Sequence, residues 1–153
     1  INRILLDGLA RLGVNAEPAS TRERAPAPST RPCFETPGHG ELVASGSKLV
    51  GSAQWRDDGA LLQHGSILVD DDQSSLPLFA AAADGANPPV SRPATLNTLL
   101  GRSPAVAEVA SAMFDAVRSR EDEDATEMAE EEIREEMMSR IPHFLDEGWT
   151  WRR

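Results

Sequence analysis

The segment from residue 41 to residue 69 constrains the fold of this chain most, because it divides into three strand-like runs separated by short turns. The runs are 41–45 (ELVAS), 48–56 (KLVGSAQWR) and 60–69 (ALLQHGSILV). Gly46-Ser47 and Asp57-Asp58-Gly59 lie between them, and both sequences favour tight turns. We therefore predict three consecutive antiparallel strands that form a meander.

Helical patterns flank this sheet on both sides. Apolar residues recur at helical spacing near the start of the chain, where Gly13 is expected to end the helix. The Pro-rich segments 17–32 and 84–94 are expected to be loops. The predicted helices cover residues 1–12, a short segment from Thr95 or Asn97 to Leu100, a segment opened by Ser103-Pro104, and residues 122–141. The predicted fold class is α+β, with antiparallel strands packed against helices and further helices at the C-terminal end.

Length and composition fit one folded domain. The chain has 153 residues, of which 40% are hydrophobic, enough to bury a core. It contains no apolar run of the ~18 residues that a membrane-spanning helix needs, and it does not open with a secretory signal. Its single cysteine excludes an internal disulfide and suits a reducing compartment. We therefore expect a cytoplasmic protein without a membrane partner. The three tryptophans, Trp55, Trp149 and Trp151, are interpreted as packing residues.

Charge is distributed unevenly along the chain. Residues 1–56 carry seven basic and five acidic side chains, whereas residues 57–153 carry eight basic and twenty acidic side chains. Phosphate binding requires clustered Lys and Arg, so this pattern argues against nucleic acid as a partner. The run Asp70-Asp71-Asp72 is interpreted as a solvated strand end, and the three scattered histidines predict no metal site.

Cys33 and Lys48 are the residues that suggest chemistry, because each is the only one of its type. The chain contains fourteen Arg, and of these two basic residue types only Lys can release a proton at a useful pH. A thiolate beside an ammonium is a competent nucleophile, and a nearby amine can pass on the proton in acyl transfer through a thioester. The residues alone leave open that Cys33 is a small buried hydrophobe and that one Lys survived by chance.

Small residues in two neighbouring strands mark a candidate binding surface. Gly51 with Ser52 and Gly65 with Ser66 keep the sheet surface low, which would let a ligand lie close to the backbone. His64 lies in the same strand as Gly65, on a face of mixed polarity. A structural, hydrogen-bonded role explains His64 as well as a catalytic one does.

The segment CFETPGHGELVASGSKLVGSAQWRDDGALLQHGSIL resembles the core of the biotin/lipoate protein ligase catalytic domain family. Within that family it is most similar to the cysteine-dependent octanoyltransferases and amidotransferases of lipoate assembly. Their pattern is Cys-Phe-Asp-x-Pro, then Glu-Leu, then Gly-Arg-Lys-x-x-Gly-Ser-Ala-Gln, then Leu-Gln-His-Gly-Ser-Ile. The matching positions are Cys33, Phe34, Pro37, Glu41, Leu42, Gly46, Lys48, Gly51, Ser52, Ala53, Gln54, Leu62, Gln63, His64, Gly65, Ser66, Ile67 and Leu68.

The resemblance implies a partial domain of the class-II-synthetase or biotin–lipoate ligase type. Residues 1–80 would be the C-terminal part of its catalytic domain, 81–94 a linker loop, and 95–153 a helical C-terminal extension. It implies that Cys33 holds an octanoyl or lipoyl thioester, and that Lys48 contacts the acyl carbonyl and acts in proton transfer. The implied substrate-binding residues are Gly51, Ser52, Gln54, His64, Gly65 and Ser66.

Three departures from the family pattern are visible. Glu35 replaces an Asp, and Ser47 replaces the Arg before the lysine, so that one basic contact is lost. The family's Arg-Arg-x-Thr-Gly-Gly segment, which lines the other side of the pocket, does not occur before Cys33. The chain also begins at Ile1, without Met and already in a helical pattern. We therefore expect a piece of a longer protein that is not active alone.

The function that the resemblance implies is transfer of an octanoyl or lipoyl group from acyl carrier protein to a lysine of a lipoyl domain. Acceptors would include the glycine-cleavage H protein, and the transferase would need no cofactor. Three alternatives remain: an ATP-dependent lipoate–protein ligase, which would need ATP and Mg, an amidotransferase between lipoyl proteins, and an inactive truncated relative that only binds. Acidic partner proteins are expected to dock near Arg22, Arg24 and Arg31.

Overall fold

The strands and helices follow the predicted order along the chain. The computed structural model describes residues 1–20, 33–71, 73 and 92–150. The strands are β1 (Glu17–Pro18), β2 (Leu42–Ala44), β3 (Ser47–Asp57) and β4 (Ala60–Ile67). The helices are α1 (Asn2–Arg11), α2 (Leu96–Leu100), α3 (Val106–Arg120), α4 (Glu130–Leu145) and α5 (Glu147–Thr150). The predicted α+β class is confirmed, although β1 lies at the start of a segment that the sequence predicts to be a loop.

Two tight turns produce the antiparallel sheet, whose strand order is β1-β2-β3-β4. The β2–β3 turn has positive φ at Ser45 (50°) and Gly46 (77°), and the β3–β4 turn has positive φ at Asp58 (42°) and Gly59 (79°). Positive φ at both central residues defines a type I′ turn, whose twist matches that of the paired strands. The meander is therefore confirmed, with its first turn one residue earlier than the sequence predicts.

A bulge interrupts the pairing of β3 with β2. Val50 pairs with Leu42 and Lys48 pairs with Val43, so that Leu49 between them has no partner of its own in β2. On its other edge, β3 pairs with β4 in one unbroken register from Val50 to the end of the hairpin. A bulge of this kind changes the direction of the side chains on one side of it relative to the other.

The core lies where α1, α2 and α3 meet β2 and the first half of β3. Its buried members are Leu9, Val14, Leu42, Ala44, Leu49, Val50, Ala94, Leu96 and Val109. α1 packs along α3 so closely that a Cβ atom on Gly8 would lie 2.4 Å from Sδ of Met113. At the edge of this contact Arg120 donates a hydrogen bond to Asp7 (Nη2 to Oδ1, 2.8 Å), and this hydrogen bond lowers the pKa of Asp7.

The short helix α2 is fixed at both ends by the residues that the sequence indicates. Oγ1 of Thr95 accepts a hydrogen bond from the main-chain N–H of Thr98 at 3.1 Å, and Gly101 ends the helix with a φ of 69°. Just before the helix, the N–H of Ala94 donates to the main-chain oxygen of Lys48 at 2.9 Å. The chain entering α2 is thus attached to β3 beside the bulge. Most of the predicted linker 81–94 lies outside the described residues.

The far half of the β3–β4 hairpin and the helix α4 bury little surface. Trp55 and Leu62 are cross-strand partners near the hairpin tip, and they are 67% and 60% exposed. The prediction that Trp55 is a packing residue is therefore wrong, because nothing described covers that part of the sheet. α4 starts eight residues later than predicted, runs through Pro142, and buries none of its residues.

None of the helices in the described ranges is both long enough and apolar enough to cross a membrane.

Candidate active site

Cys33 lies on the loop that leads into β2, and its side chain is exposed as a free thiol. The next residue, Phe34, is only 6% exposed. Its ring packs over β3, where Cζ lies 3.3 Å from the position that a Cβ atom on Gly51 would take. The loop therefore presents a thiol to solvent while its neighbouring side chain is held against the sheet.

Lys48 projects from β3 towards this loop and is itself only 6% exposed. Its Nζ atom donates a hydrogen bond to the main-chain oxygen of Cys33 at 2.7 Å. The ring of Phe34 lies on another side of the same nitrogen, with its centroid 5.1 Å away. The structure thus brings the two predicted catalytic residues together, through the carbonyl group of Cys33 rather than through its thiol.

Glu41 is the member of this cluster to which sequence reasoning assigned no role. Its Oε2 atom lies 2.6 Å from Nζ of Lys48 and accepts a hydrogen bond from the N–H of Gly38, also at 2.6 Å. Its Oε1 atom accepts from the N–H of Ser52 at 3.3 Å. A buried charge needs partners of this kind to replace its hydration. A carboxylate directly before a buried strand, seven residues from the only lysine, is the signal that could have identified it.

The bulge explains how Lys48 reaches the loop. Residues three apart in a regular strand point to opposite faces. Here, however, Cε of Lys48 lies 3.4 Å from the position of a Cβ atom on Gly51, and Oε1 of Glu41 lies 3.6 Å from it. The protein's own side chains therefore fill the space above Gly51, and the ligand contact predicted at this position stays a prediction.

The predicted substrate-binding residues lie on both faces of the β3–β4 hairpin. Cross-strand partners point to the same face of a sheet, and Gly51 pairs with Ser66 as Ala53 pairs with His64. One face carries Gly51, His64 and Ser66, whereas the other carries Ser52, Gln54 and Gly65. These residues therefore cannot all line one side of the sheet, and their roles stay predictions.

Three of these residues have an additional structural context. A Cβ atom on Gly65 would lie 2.4 Å from the carbonyl oxygen of Gly51, so close pairing of the strands requires glycine there. Ser52 and Gln54 line an open hollow of about 460 Å³, together with Ile1, Asn2, His39 and Gly40. Nδ2 of Asn2 donates to the main-chain oxygen of Gly40 at 2.6 Å, which attaches α1 to the wall of the hollow.

Other predicted features lie outside this cluster. Within the ranges that the structure describes, no group of three or more His, Cys, Asp or Glu side chains is placed to hold a metal ion. Arg22, Arg24 and Arg31, the predicted docking residues, fall outside the described part of the chain.

Comparisons with known proteins point to one family. The family model of the lipoyl protein ligase A/B catalytic domain matches residues 1–118. An octanoyltransferase LipM from Kyrpidia tusciae is 48% identical over 80 residues, and one from Bacillus subtilis is 42% identical over 81 residues. Each alignment covers 50% of this chain and 29% of the relative, so the chain matches less than a third of the length of these curated relatives.

A solved structure shares the fold. It is that of a protein from T. acidophilum, described as a lipoate protein ligase with bound lipoic acid, and it superposes with a TM-score of 0.64. The superposition covers 97% of this chain and 55% of the other at 19% identity, so it speaks for the fold alone. The family match extends over more than half of the chain and includes Cys33, Glu41 and Lys48. The chain belongs to the lipoyl protein ligase A/B catalytic domain family.

Proposed function

We propose that the full-length protein is an acyltransferase of protein lipoylation, which carries an octanoyl or lipoyl group on Cys33. The observation that supports this most directly is that Cys33 exposes its thiol while its main-chain carbonyl accepts a hydrogen bond, at 2.7 Å, from the buried side chain of Lys48. Relatives named octanoyltransferase are 42% and 48% identical to about half of this chain. The transferase needs no cofactor for either step.

In the first step, the Cys33 thiol loses its proton and the resulting thiolate attacks the thioester carbonyl of octanoyl-acyl carrier protein. A new carbon–sulfur bond forms to Cys33, the bond to the carrier's sulfur breaks, and that sulfur leaves and takes up the proton that Cys33 lost. In the second step, the ε-amine of a lysine on a lipoyl-domain protein, such as the glycine-cleavage H protein, attacks the Cys33 thioester. An amide forms, and the Cys33 sulfur leaves with the proton that the amine gives up.

Lys48 supports both steps as a fixed donor. An ammonium group has three N–H donors, and among the described residues the Cys33 carbonyl and the Glu41 carboxylate use two of them. We assign the third to the acyl oxygen, where negative charge develops in the transition state. Donors fixed in advance near such an oxygen are among the largest contributions to catalysis.

The two faces of the hairpin divide the substrate between them in this proposal. His64 and Ser66 share the face that Lys48 reaches, and we assign them to the acyl group. Ser52 and Gln54 line the hollow of about 460 Å³, a volume within the range of ligand sites. We assign that hollow to the carrier group that brings the acyl chain, or to the acceptor lysine that removes it.

The test is a mass measurement on the full-length protein. Incubation with octanoyl-acyl carrier protein should add one octanoyl group to Cys33, and hydroxylamine should remove it because the bond is a thioester. The variant Cys33→Ala is the control and should gain no mass. Addition of H protein should move the octanoyl group to an acceptor lysine, as an amide that hydroxylamine does not cleave.

Other outcomes identify the alternatives. Product formation only with ATP, Mg and lipoate, without an adduct on Cys33, would assign the protein as a ligase. Absence of product under both conditions would leave a relative that binds acyl groups or partners without catalysis.

A further inference from the structure

We propose that Glu41 is a positioning residue of the acyl-transfer site. Its carboxylate holds the Lys48 side chain against the main-chain carbonyl of Cys33, and in this way it sets the position of the thiol. This inference rests on the acyl-transfer function proposed above and assigns a role to a residue that touches neither the acyl group nor the thiol.

The carboxylate joins parts of the chain that are otherwise separate. Its donors come from the loop (Gly38), from the residue before the bulge of β3 (Lys48) and from the strand after the bulge (Ser52). The residue is only 9% exposed. Since water does not replace these donors in a buried site, the carboxylate has one arrangement of partners, and that arrangement fixes the loop relative to β3.

Lys48 requires a second partner to be held in place. Its side chain has four rotatable torsions, and fixing them costs about as much conformational entropy as one hydrogen bond recovers. The bond to Glu41, at 2.6 Å, joins two opposite charges and adds a second fixed partner for the same nitrogen. The hydrogen bond to Cys33 therefore depends on Glu41, although Glu41 does not contact Cys33.

The first experiment compares rates in the full-length protein. Glu41→Gln keeps the shape of the side chain and removes its charge. Misplacement of a reacting group by about 1 Å can cost about 100-fold in rate, so we expect kcat for acylation of Cys33 to fall by about that factor. The KM for octanoyl-acyl carrier protein should change by less than about twofold, because Glu41 does not bind the carrier.

The matched control is Glu108→Gln. Glu108 is paired with Arg102 at the start of α3, so this change also removes a carboxylate from an ion pair, but outside the cluster around Lys48. It should leave kcat and KM within about twofold of the unchanged protein.

The second experiment reads the positions of Lys48 and Cys33 without a substrate. The protein is labelled with ¹⁵N at Nζ of lysine and with ¹³C at the carbonyl of cysteine, and the signals are assigned by their loss or shift in Lys48→Met. Glu41→Gln should shift the Cys33 carbonyl signal towards its position in Lys48→Met and should broaden or move the Lys48 signal. Glu108→Gln should move neither. Should Glu41→Gln fail to fold, Glu41→Asp keeps the charge but shortens the reach, and it should give a smaller shift in the same direction.

The outcomes of the two experiments distinguish a failure of the proposed function from a failure of the positioning role of Glu41. No octanoyl adduct on Cys33 in the unchanged protein overturns the proposed function. Unmoved Lys48 and Cys33 signals in Glu41→Gln overturn the positioning role, whatever the activity. A fall in kcat with unmoved signals and a lowered melting temperature would assign Glu41 to stability alone, and this also overturns it.

Discussion

Replacing Lys48 with methionine would leave the carboxylate of Glu41 in a buried site without its cation. Methionine keeps the length and the apolar stem of lysine, so the change isolates the charge. The paired atoms lie 2.6 Å apart, and the two side chains are 6% and 11% exposed, so that water reaches neither well. Removing one partner of a buried ion pair costs on the order of 3–5 kcal/mol. We expect about 3 kcal/mol, because the N–H groups of Gly38 and Ser52 still bind the carboxylate.

Urea unfolding of three variants measures this cost: Lys48→Met, Glu41→Gln, and the two combined. In thermal unfolding of the same variants, a loss of about 3 kcal/mol should lower the melting temperature by roughly 6–12 °C for a chain of this size. The double variant leaves no unpaired charge in the buried site, so it should recover much of the stability that Lys48→Met loses. The double-mutant cycle should therefore give a coupling of about 1–3 kcal/mol between the two positions.

Two results would refute this reasoning. A loss below about 0.5 kcal/mol in Lys48→Met would mean that the site is effectively solvated. A double variant as unstable as Lys48→Met would mean that the carboxylate does not depend on the lysine.

Three further predictions concern the fold. Gly65→Ala should destabilise the protein by about 1–3 kcal/mol in urea unfolding, because its new methyl group would lie 2.4 Å from a backbone oxygen that cannot move aside. Leu49→Ala, at a residue with 0% exposure, should cost about 2–5 kcal/mol, whereas Leu62→Ala, 60% exposed, should cost less than about 0.5 kcal/mol. The hydrogen bond from Arg120 lowers the pKa of Asp7 from its usual 3.8, so this pair stabilises the fold above about pH 4 and ceases to do so as the pH falls through the lowered pKa. Asp7→Asn should therefore lower the urea midpoint at pH 7, and this difference should shrink as the pH falls below about 4.

The sheet could be predicted from the sequence because its signals are local. Asp58-Gly59 determines a turn by its own backbone preferences, and Thr95 and Gly101 delimit α2 in the same way. The bulge could not be predicted, because Leu49 is as apolar and as buried as a residue in a regular strand would be. Its lack of a pairing partner in β2 depends on how β2 and β3 are aligned by the rest of the fold.

The candidate site was only partly visible in the sequence for a similar reason. The rarity of Cys33 and Lys48 and the motif around them suggested that the two residues meet. Which atom of Cys33 receives the hydrogen bond depends on the loop conformation, which no local pattern specifies. Glu41 was missed because a carboxylate at the start of a strand is usually solvated, and only the folded chain surrounds it with three donors.

The bulge in β3 also makes the two ends of that strand unequal in their tolerance of insertions and deletions. Insertion of one residue between Lys48 and Gly51, with the bulge retained, would place the two residues on opposite faces of the sheet and turn Lys48 away from Cys33. Paired losses or gains of residues beside the Asp58-Gly59 turn would only shorten or lengthen an exposed hairpin. The hairpin can therefore vary in length, whereas an added residue between Lys48 and Gly51 would move the amino group that binds the Cys33 carbonyl.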